Sequence, residues 1–303
     1  MTTTRTVTTG TGLRVDTAGE HGTPVLLLHG IGSAAASFAG QLPALARHHR
    51  AAAWDAPGYA RSDDPPAPYR MDDFADAAAA VLTGLGPPPA HVVGVSWGGV
   101  VATRLALRHP HLLRSLVLVG STRGSGRDPA AARAMLERGG ELAALGAREF
   151  ARTRAPRLLS DRAPASAVAA VRDLMARSVR LPGYAEAAAS MAETDHTGAL
   201  PTLRLPTLVL VGEHDRVTGV AESEHIHRLV PGSAFAVIPG AGHLANQERP
   251  DLFLRLLEGF LADVDARPGP AADGPAPRED PPPGRAATTD GATRDKERTW
   301  TSD

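Results

Sequence analysis

Residues 94–98 read Gly94-Val95-Ser96-Trp97-Gly98, set between a short apolar run, His91 to Val95, and an alanine- and leucine-rich stretch of helical spacing. A serine in a G-x-S-x-G string at a strand-to-helix turn can hold its hydroxyl out at the end of a sheet. The N-terminus of the following helix then lies beneath it and favours negative charge. Such a turn is so tight that its flanking positions leave no room for a Cβ, which glycine solves. As a bare string the pattern is weak, because a glycine-rich turn with an N-capping serine reads the same way. The rest of the chain decides between the two.

Working outward, apolar runs at Pro24 to Leu28, Ala51 to Trp54 and Ser115 to Val119 alternate with helical patterns at Met71 to Leu85 and Trp97 to Arg108. That alternation predicts a mostly parallel sheet with helices on both faces. Leu13 to Ala18 and the threonine-rich start predict an antiparallel edge hairpin. From Ser125 to Leu205 the chain is rich in Ala, Arg, Leu and Glu and shows no strand pattern, which predicts a helical insertion. Strand and helix then resume at Pro206 to Val211, Val220 to Leu229, Ala234 to Ile238 and Pro250 to Val264. Pro250 suits a helix start, where its missing N–H leaves nothing unpaired. The expected segments are a core over 1–124, the insertion over 125–205, core again over 206–265, and a disordered tail over 266–303. The tail is Pro-, Gly-, Asp-, Arg- and Thr-rich, with Trp300 nearly its only large apolar residue.

A serine hydroxyl is too weakly acidic to attack at neutral pH without a base, and the base needs a carboxylate to set its tautomer. On this kind of sheet the order along the chain is serine, acid, histidine, each after a strand. Asp215, in Val211-Gly212-Glu213-His214-Asp215, is the expected acid; His243, in Pro239-Gly240-Ala241-Gly242-His243, is the expected base. His243 stands out among 12 histidines by its post-strand loop, its flanking glycines and its late position. Glu213 is the rival acid and His214 the rival base. His225 and His227, two apart on a helical pattern, face different sides and make a poor metal pair; no metal or cofactor is expected. Acyl chemistry also needs two backbone N–H groups aimed at a developing oxyanion. The Trp97 amide is the expected first donor and the Ile31 amide, in His29-Gly30-Ile31-Gly32-Ser33, the second. A plain glycine turn into a helix near Ala35 would account for those glycines equally well.

With these residues in place the chain resembles the α/β-hydrolase superfamily, in the group with a helical cap and a Ser–His–Asp triad. The resemblance rests on Leu27 to Gly32, Trp54-Asp55-Ala56-Pro57-Gly58-Tyr59-Ala60-Arg61-Ser62-Asp63, Gly94 to Gly99, Val211 to Asp215 and Pro239 to His243. It implies an eight-stranded, mostly parallel sheet with the cap inserted after the sixth strand and roofing a pocket at Ser96. Met135, Met175, Tyr184, Met191 and His196 are the cap residues expected to line that pocket, ordinary helix packing being the alternative for the first four. The implied activity is cleavage of a carboxylic ester or (enol-)lactone of a small organic substrate through an acyl-enzyme on Ser96. C–C bond hydrolysis is an alternative. So is a proline-iminopeptidase-like reaction, which Trp97 resembles but Asp55-Ala56-Pro57-Gly58-Tyr59 does not. A non-hydrolytic biosynthetic enzyme or ligand receptor on the same fold is the alternative of a different class. A serine at position 96 sets the chain apart from similar dehalogenases and epoxide hydrolases, which use an Asp there.

The composition fits. A chain of 303 residues, 43% hydrophobic, can bury a large core or a core with a subdomain. It has no cysteine, which excludes disulfides and thiolate metal sites and suits the cytoplasm. A net charge of −1 offers nothing to nucleic acid or an anionic membrane. The start, Met1 to Gly12, lacks the apolar stretch of a signal peptide, and no apolar run approaches the roughly 20 residues that span a membrane. A small-molecule substrate is therefore the expected partner, with a homodimer left open.

Overall fold

Eight strands form one sheet: β1 Arg5–Thr8, β2 Arg14–Ala18, β3 Pro24–Leu28, β4 Arg50–Trp54, β5 Ala90–Val95, β6 Leu113–Val119, β7 Thr207–Gly212 and β8 Ala234–Ile238. Their order is β1-β2-β4-β3-β5-β6-β7-β8, antiparallel from β1 to β2 and β2 to β4 and parallel thereafter. The edge hairpin and the parallel sheet are thus both as expected. This computed structural model describes residues 4–267, so the expectation for the tail, Trp300 included, lies outside the described residues but for Ala266 and Arg267.

Strands β3 and β5 are buried along their whole length, which is why they read as unbroken apolar runs rather than alternating ones. Successive side chains still go to opposite faces. Leu26, Leu28, Val92, Leu116 and Leu118 pack on one side with α2 Met71–Leu85 and α3 Trp97–Arg108, through Phe74, Ala78, Val101 and Leu105. Val25, Leu27, Val93, Val117 and Val119 pack on the other with α1 Gln41–Leu45 and α9 Pro250–Asp265, through Leu42, Phe253, Leu257 and Leu261. The last three recur every fourth residue, so they form one stripe on α9.

Between β6 and β7 lie α4 Pro129–Arg154, α5 Ala165–Ser178 and α6 Gly183–Glu193. They occupy the insertion expected over 125–205 and belong to the same compact unit as the sheet. Asp128 caps α4 by accepting the Ala130 N–H, and the helix breaks at Gly146, whose φ is 71°. Helices α7 Val220–Leu229 and α8 Ala245–Glu248 complete the described elements. Where a helix was expected near Ala35 there is a single 3₁₀ turn, Ala35–Phe38, and α1 follows it after two residues. No helix among the described residues is long and apolar enough to cross a membrane.

The chain enters the parallel sheet at β3, runs outward to β4, then returns across β3 to β5. The loops after β3 and β5 therefore leave adjacent strands in opposite directions. That reversal opens a crevice beyond the strands' C-terminal ends, where sheets of this kind place their ligand sites. Ser96 and Ile31 both lie there.

Candidate active site

Ser96 is the joint between β5 and α3. It adopts φ 55° and ψ −120°, a conformation that L side chains rarely occupy. Holding a non-glycine residue there costs about 1–3 kcal/mol. The surroundings impose it: the Ser96 N–H donates to Val119 O at 2.8 Å, and Ser96 O accepts from the Gly99 N–H at 2.9 Å and the Ser121 hydroxyl at 3.1 Å. A Cβ on Gly98 would overlap the Leu28 carbonyl, and one on Gly94 would overlap that of Gly98. Gly98→Ala is accordingly expected to destabilise the fold by about 3 kcal/mol or more. Urea unfolding checks this, with Gly140→Ala, where no atom would meet the new methyl, as the control.

The two expected oxyanion donors follow adjacent strands, Ile31 on the loop after β3 and Trp97 directly after Ser96. Among the described residues neither the Ile31 nor the Trp97 amide donates a hydrogen bond, and Trp97 is the first residue of α3. Ser33 N–H to Gly30 O at 3.0 Å closes the turn that carries Ile31. An added Cβ on Gly30 would stand 3.3 Å from Ser96 Cβ, so this loop reaches the elbow.

His243 and Asp215 meet across the ends of β7 and β8, with Nδ1 2.9 Å from Asp215 Oδ2. A carboxylate can only accept, so Nδ1 carries the proton and Nε2 is left as the basic nitrogen. Asp215 Oδ2 also accepts the Thr218 hydroxyl at 2.8 Å, while Oδ1 accepts the N–H groups of Val217 at 2.8 Å and Thr218 at 3.1 Å. Burial alone would raise the Asp215 pKa; the hydrogen bond and charge of His243, with those from Thr218, outweigh it and hold the carboxyl well below the usual range. The pair reaches the elbow through the turn Val119-Gly120-Ser121. Val119 and Ser121 bind Ser96, while a Cβ on Gly120 would lie 3.1 Å from Asp215 Oδ2 and 3.2 Å from His243 Nδ1. No hydrogen bond runs from the Ser96 hydroxyl to His243 among the described residues. Such contacts often form only around bound substrate.

The rivals point elsewhere. Glu213 accepts the Gly240 N–H at 2.9 Å and so shapes the loop before His243, and His214 is 40% exposed beside Glu213. His227 is taken up by the Ser233 hydroxyl, 2.8 Å from its Nδ1.

Three residues to which sequence reasoning gave no role build the loops. His29, fully buried, donates from Nδ1 to Gly30 O at 2.8 Å and accepts the Ala56 N–H on Nε2 at 3.1 Å. Burial lowers its pKa despite the Gly30 carbonyl and the Asp55 charge, so it serves as a neutral bridge. Asp55 accepts the Ala35 N–H at 2.8 Å and the Arg61 Nε–H at 2.7 Å. Glu248 accepts the N–H groups of Gly242 at 2.8 Å and Ser160 at 3.0 Å, tying the His243 loop to the inserted helices. The first two stand inside quoted motifs; nothing in the sequence marks Glu248.

The side chain of Trp97 is committed to packing. It stacks on Tyr59 at 5.7 Å, meets Phe74 edge-on at 4.8 Å and donates Nε1–H to Ser190 Oγ of α6 at 3.1 Å. Trp97→Phe loses that hydrogen bond between elbow and insertion. The expected loss is about 1–2 kcal/mol, or roughly 2–8 °C in melting temperature by calorimetry. Met135, Met175, Tyr184 and Met191 are all buried. Of these, Met175 reaches the loop of Ile31, its Cε 2.7 Å from where a Gly32 Cβ would stand. Tyr184 packs on Tyr59 and Phe150 at 6.4 and 5.1 Å. His196 is buried with both ring nitrogens unpartnered. Burial and the nearby charge of Arg104, on α3, push its pKa down to about 4.

A family model described as the alpha/beta hydrolase fold matches residues 23–250. A polyketide synthase of Burkholderia thailandensis, ThaQ, is 34% identical over 81% of this chain, though the chain spans only 12% of that protein's length. A 3-oxoadipate enol-lactonase of Acinetobacter baylyi is 29% identical over 69% of the chain and 77% of its own. A thermophilic esterase from Thermogutta terrifontis superposes with a TM-score of 0.76 at 29% identity, covering 87% of this chain and 99% of that one. The matched span runs from β3 through the strained elbow to the start of α9 and takes in every residue discussed at the site: the chain belongs to the α/β-hydrolase fold family and is an enzyme of the hydrolase type.

Proposed function

We propose that this hydrolase cleaves a carboxylic ester or enol-lactone of a small organic substrate through an acyl-enzyme on Ser96. The observation that carries the reading is the strained Ser96 backbone sharing one turn, Val119 to Ser121, with the His243–Asp215 pair. His243 Nε2 takes the Ser96 proton as Oγ attacks the carbonyl, and the Ile31 and Trp97 amides hold the oxyanion. His243 then returns the proton to the leaving oxygen, so an ester gives up its alcohol and a lactone ring opens. Water, deprotonated by His243, releases the acid and restores Ser96. Asp215 stays ionised throughout and fixes the imidazole.

The enol-lactonase and esterase named above support this choice of bond. C–C bond hydrolysis uses the same residues and is the second reading. The peptidase reading rested on Trp97, whose indole is held by Tyr59, Phe74 and Ser190. The test is a panel of short acyl p-nitrophenyl esters, enol-lactones, C–C cleavage substrates and prolyl amides, with burst kinetics on the best of them. Esters or lactones are expected to lead with a burst of one equivalent. Turnover confined to C–C substrates or prolyl amides, or tight ligand binding with no turnover, would overturn the assignment.

A further inference from the structure

At the end of the sheet away from Ser96, His49, His91 and Asp265 converge. His49 precedes β4, His91 is the second residue of β5 and Asp265 ends α9, so three elements meet. Ser96 lies five residues further along, about 16 Å at the rise of a strand. One ligating atom from each residue lies within 4.8 Å of the others. His91 Nε2 is 3.2 Å from Asp265 Oδ1, and His49 Nδ1 is 3.9 Å from Asp265 Oδ2.

Two further features point to a ligand. The His49 side chain is only 8% exposed, and its Nδ1, facing Asp265, has no hydrogen-bond partner. A buried polar atom left unpaired is costly, and a cation between Nδ1 and Oδ2 removes the deficit. His91 is braced from behind, its Nδ1 2.7 Å from Ser115 Oγ. In the structure Nε2 donates to Asp265 Oδ1 at 3.2 Å while Nδ1 accepts the Ser115 hydroxyl; that hydroxyl can turn to accept from Nδ1 instead, which frees the Nε2 lone pair for an ion. Asp265 is held in turn. Its Oδ1 accepts the Thr23 hydroxyl at 3.1 Å and lies 2.7 Å from Arg114 Nε, leaving Oδ2 for an ion. Arg114 Nη2 also donates to the carbonyls of Val264 and Asp265 at 3.2 Å, anchoring the end of α9.

We propose that His49, His91 and Asp265 bind one divalent transition-metal ion of the Zn²⁺ class, which ties the end of α9 to the start of the central strands. Two imidazoles and a carboxylate, with no thiolate, are a borderline donor set suited to Zn²⁺. Bonds of about 2.0–2.1 Å put neighbouring donors about 3.3 Å apart in a tetrahedral site. His49 Nδ1 and Asp265 Oδ2, 3.9 Å apart, close by about 0.6 Å to reach this spacing, His91 Nε2 exchanges its contact with Oδ1 for the ion, and water takes the fourth position. The sequence hides this set, because its members are 42 and 174 residues apart.

The test is titration of the chelator-treated full chain with Co²⁺, the coloured surrogate for Zn²⁺. One equivalent is expected to bind, to be displaced by Zn²⁺ and to raise the melting temperature. His49→Gln and Asp265→Asn should each weaken uptake at least tenfold. His109→Gln, which removes an imidazole beside Asp76, should not change it. Circular dichroism confirms folding, and if one ligand variant misfolds the other carries the readout. No saturable uptake by the folded parent, or uptake unchanged in the folded ligand variants, would overturn the proposal.

Discussion

Ser96→Ala is expected to lower kcat on the best ester or lactone by on the order of 10⁴- to 10⁶-fold, with KM little changed. The hydroxyl makes no hydrogen bond that supports the fold among the described residues, so its loss removes the proposed nucleophile and little else. Alanine occupies φ 55° no more comfortably than serine, and the backbone bonds to Val119, Gly99 and Ser121 do not involve Oγ. The variant should therefore keep its melting temperature within about 2 °C, the scale of less than 1 kcal/mol in a domain of this size. Steady-state kinetics beside calorimetry separate the two effects. Activity within tenfold of the parent in a folded Ser96→Ala protein would remove Ser96 from the chemistry.

Asp215→Asn is expected to lower kcat by on the order of 10⁴-fold. An asparagine amide can turn its NH₂ towards His243 Nδ1, which then accepts, and the proton moves to Nε2, where the base should be free. The same substitution changes the response to acid. In the parent, the Asp215 pKa is depressed in the folded state by His243 and Thr218. The carboxylate thus contributes stability above its unfolded value of about 3.9, and that contribution fades as pH falls from there through the lower folded value. The amide that replaces it does not titrate. The parent should lose stability more steeply than the variant below about pH 4, as urea midpoints across pH would show. Parallel acid profiles would mean that Asp215 is not held as described.

Much of this was legible because local and global signals agree. The G-x-S-x-G string predicted β5, the turn and α3, and Trp97–Arg108 starts and ends where expected. Pro24–Leu28 and Ala234–Ile238 also match residue for residue, since apolar runs bounded by polar residues or proline (Thr23 and His29, Ser233 and Pro239) leave little choice. Strand β6 begins at Leu113 rather than Ser115, because pairing with Ala90 adds residues that the polar Arg114 masks. Helix α1 was missed: five residues with a proline inside carry no helical period, and it forms by docking Leu42 and Leu45 under the sheet. The expected triad residues were readable from chain order. Their supports were not, since Glu248 reaches back 88 residues to Ser160 and Gln41 donates to the Asn246 carbonyl 205 residues on. Trp97, beside Ser96, carries the resemblance to proline iminopeptidases. Its side chain joins the elbow to α6, a contact that its place in the sequence does not reveal.

If Ser96 is the nucleophile, it is the residue that a serine-directed electrophile modifies. The enzyme is treated with a fluorophosphonate, weighed intact and mapped by peptide mass spectrometry. One adduct per chain is expected, on the peptide holding Ser96, absent in Ser96→Ala and slowed at least a hundredfold in His243→Ala. An active enzyme that takes up no label, or carries it on another residue, would mean that Ser96 is not the nucleophile.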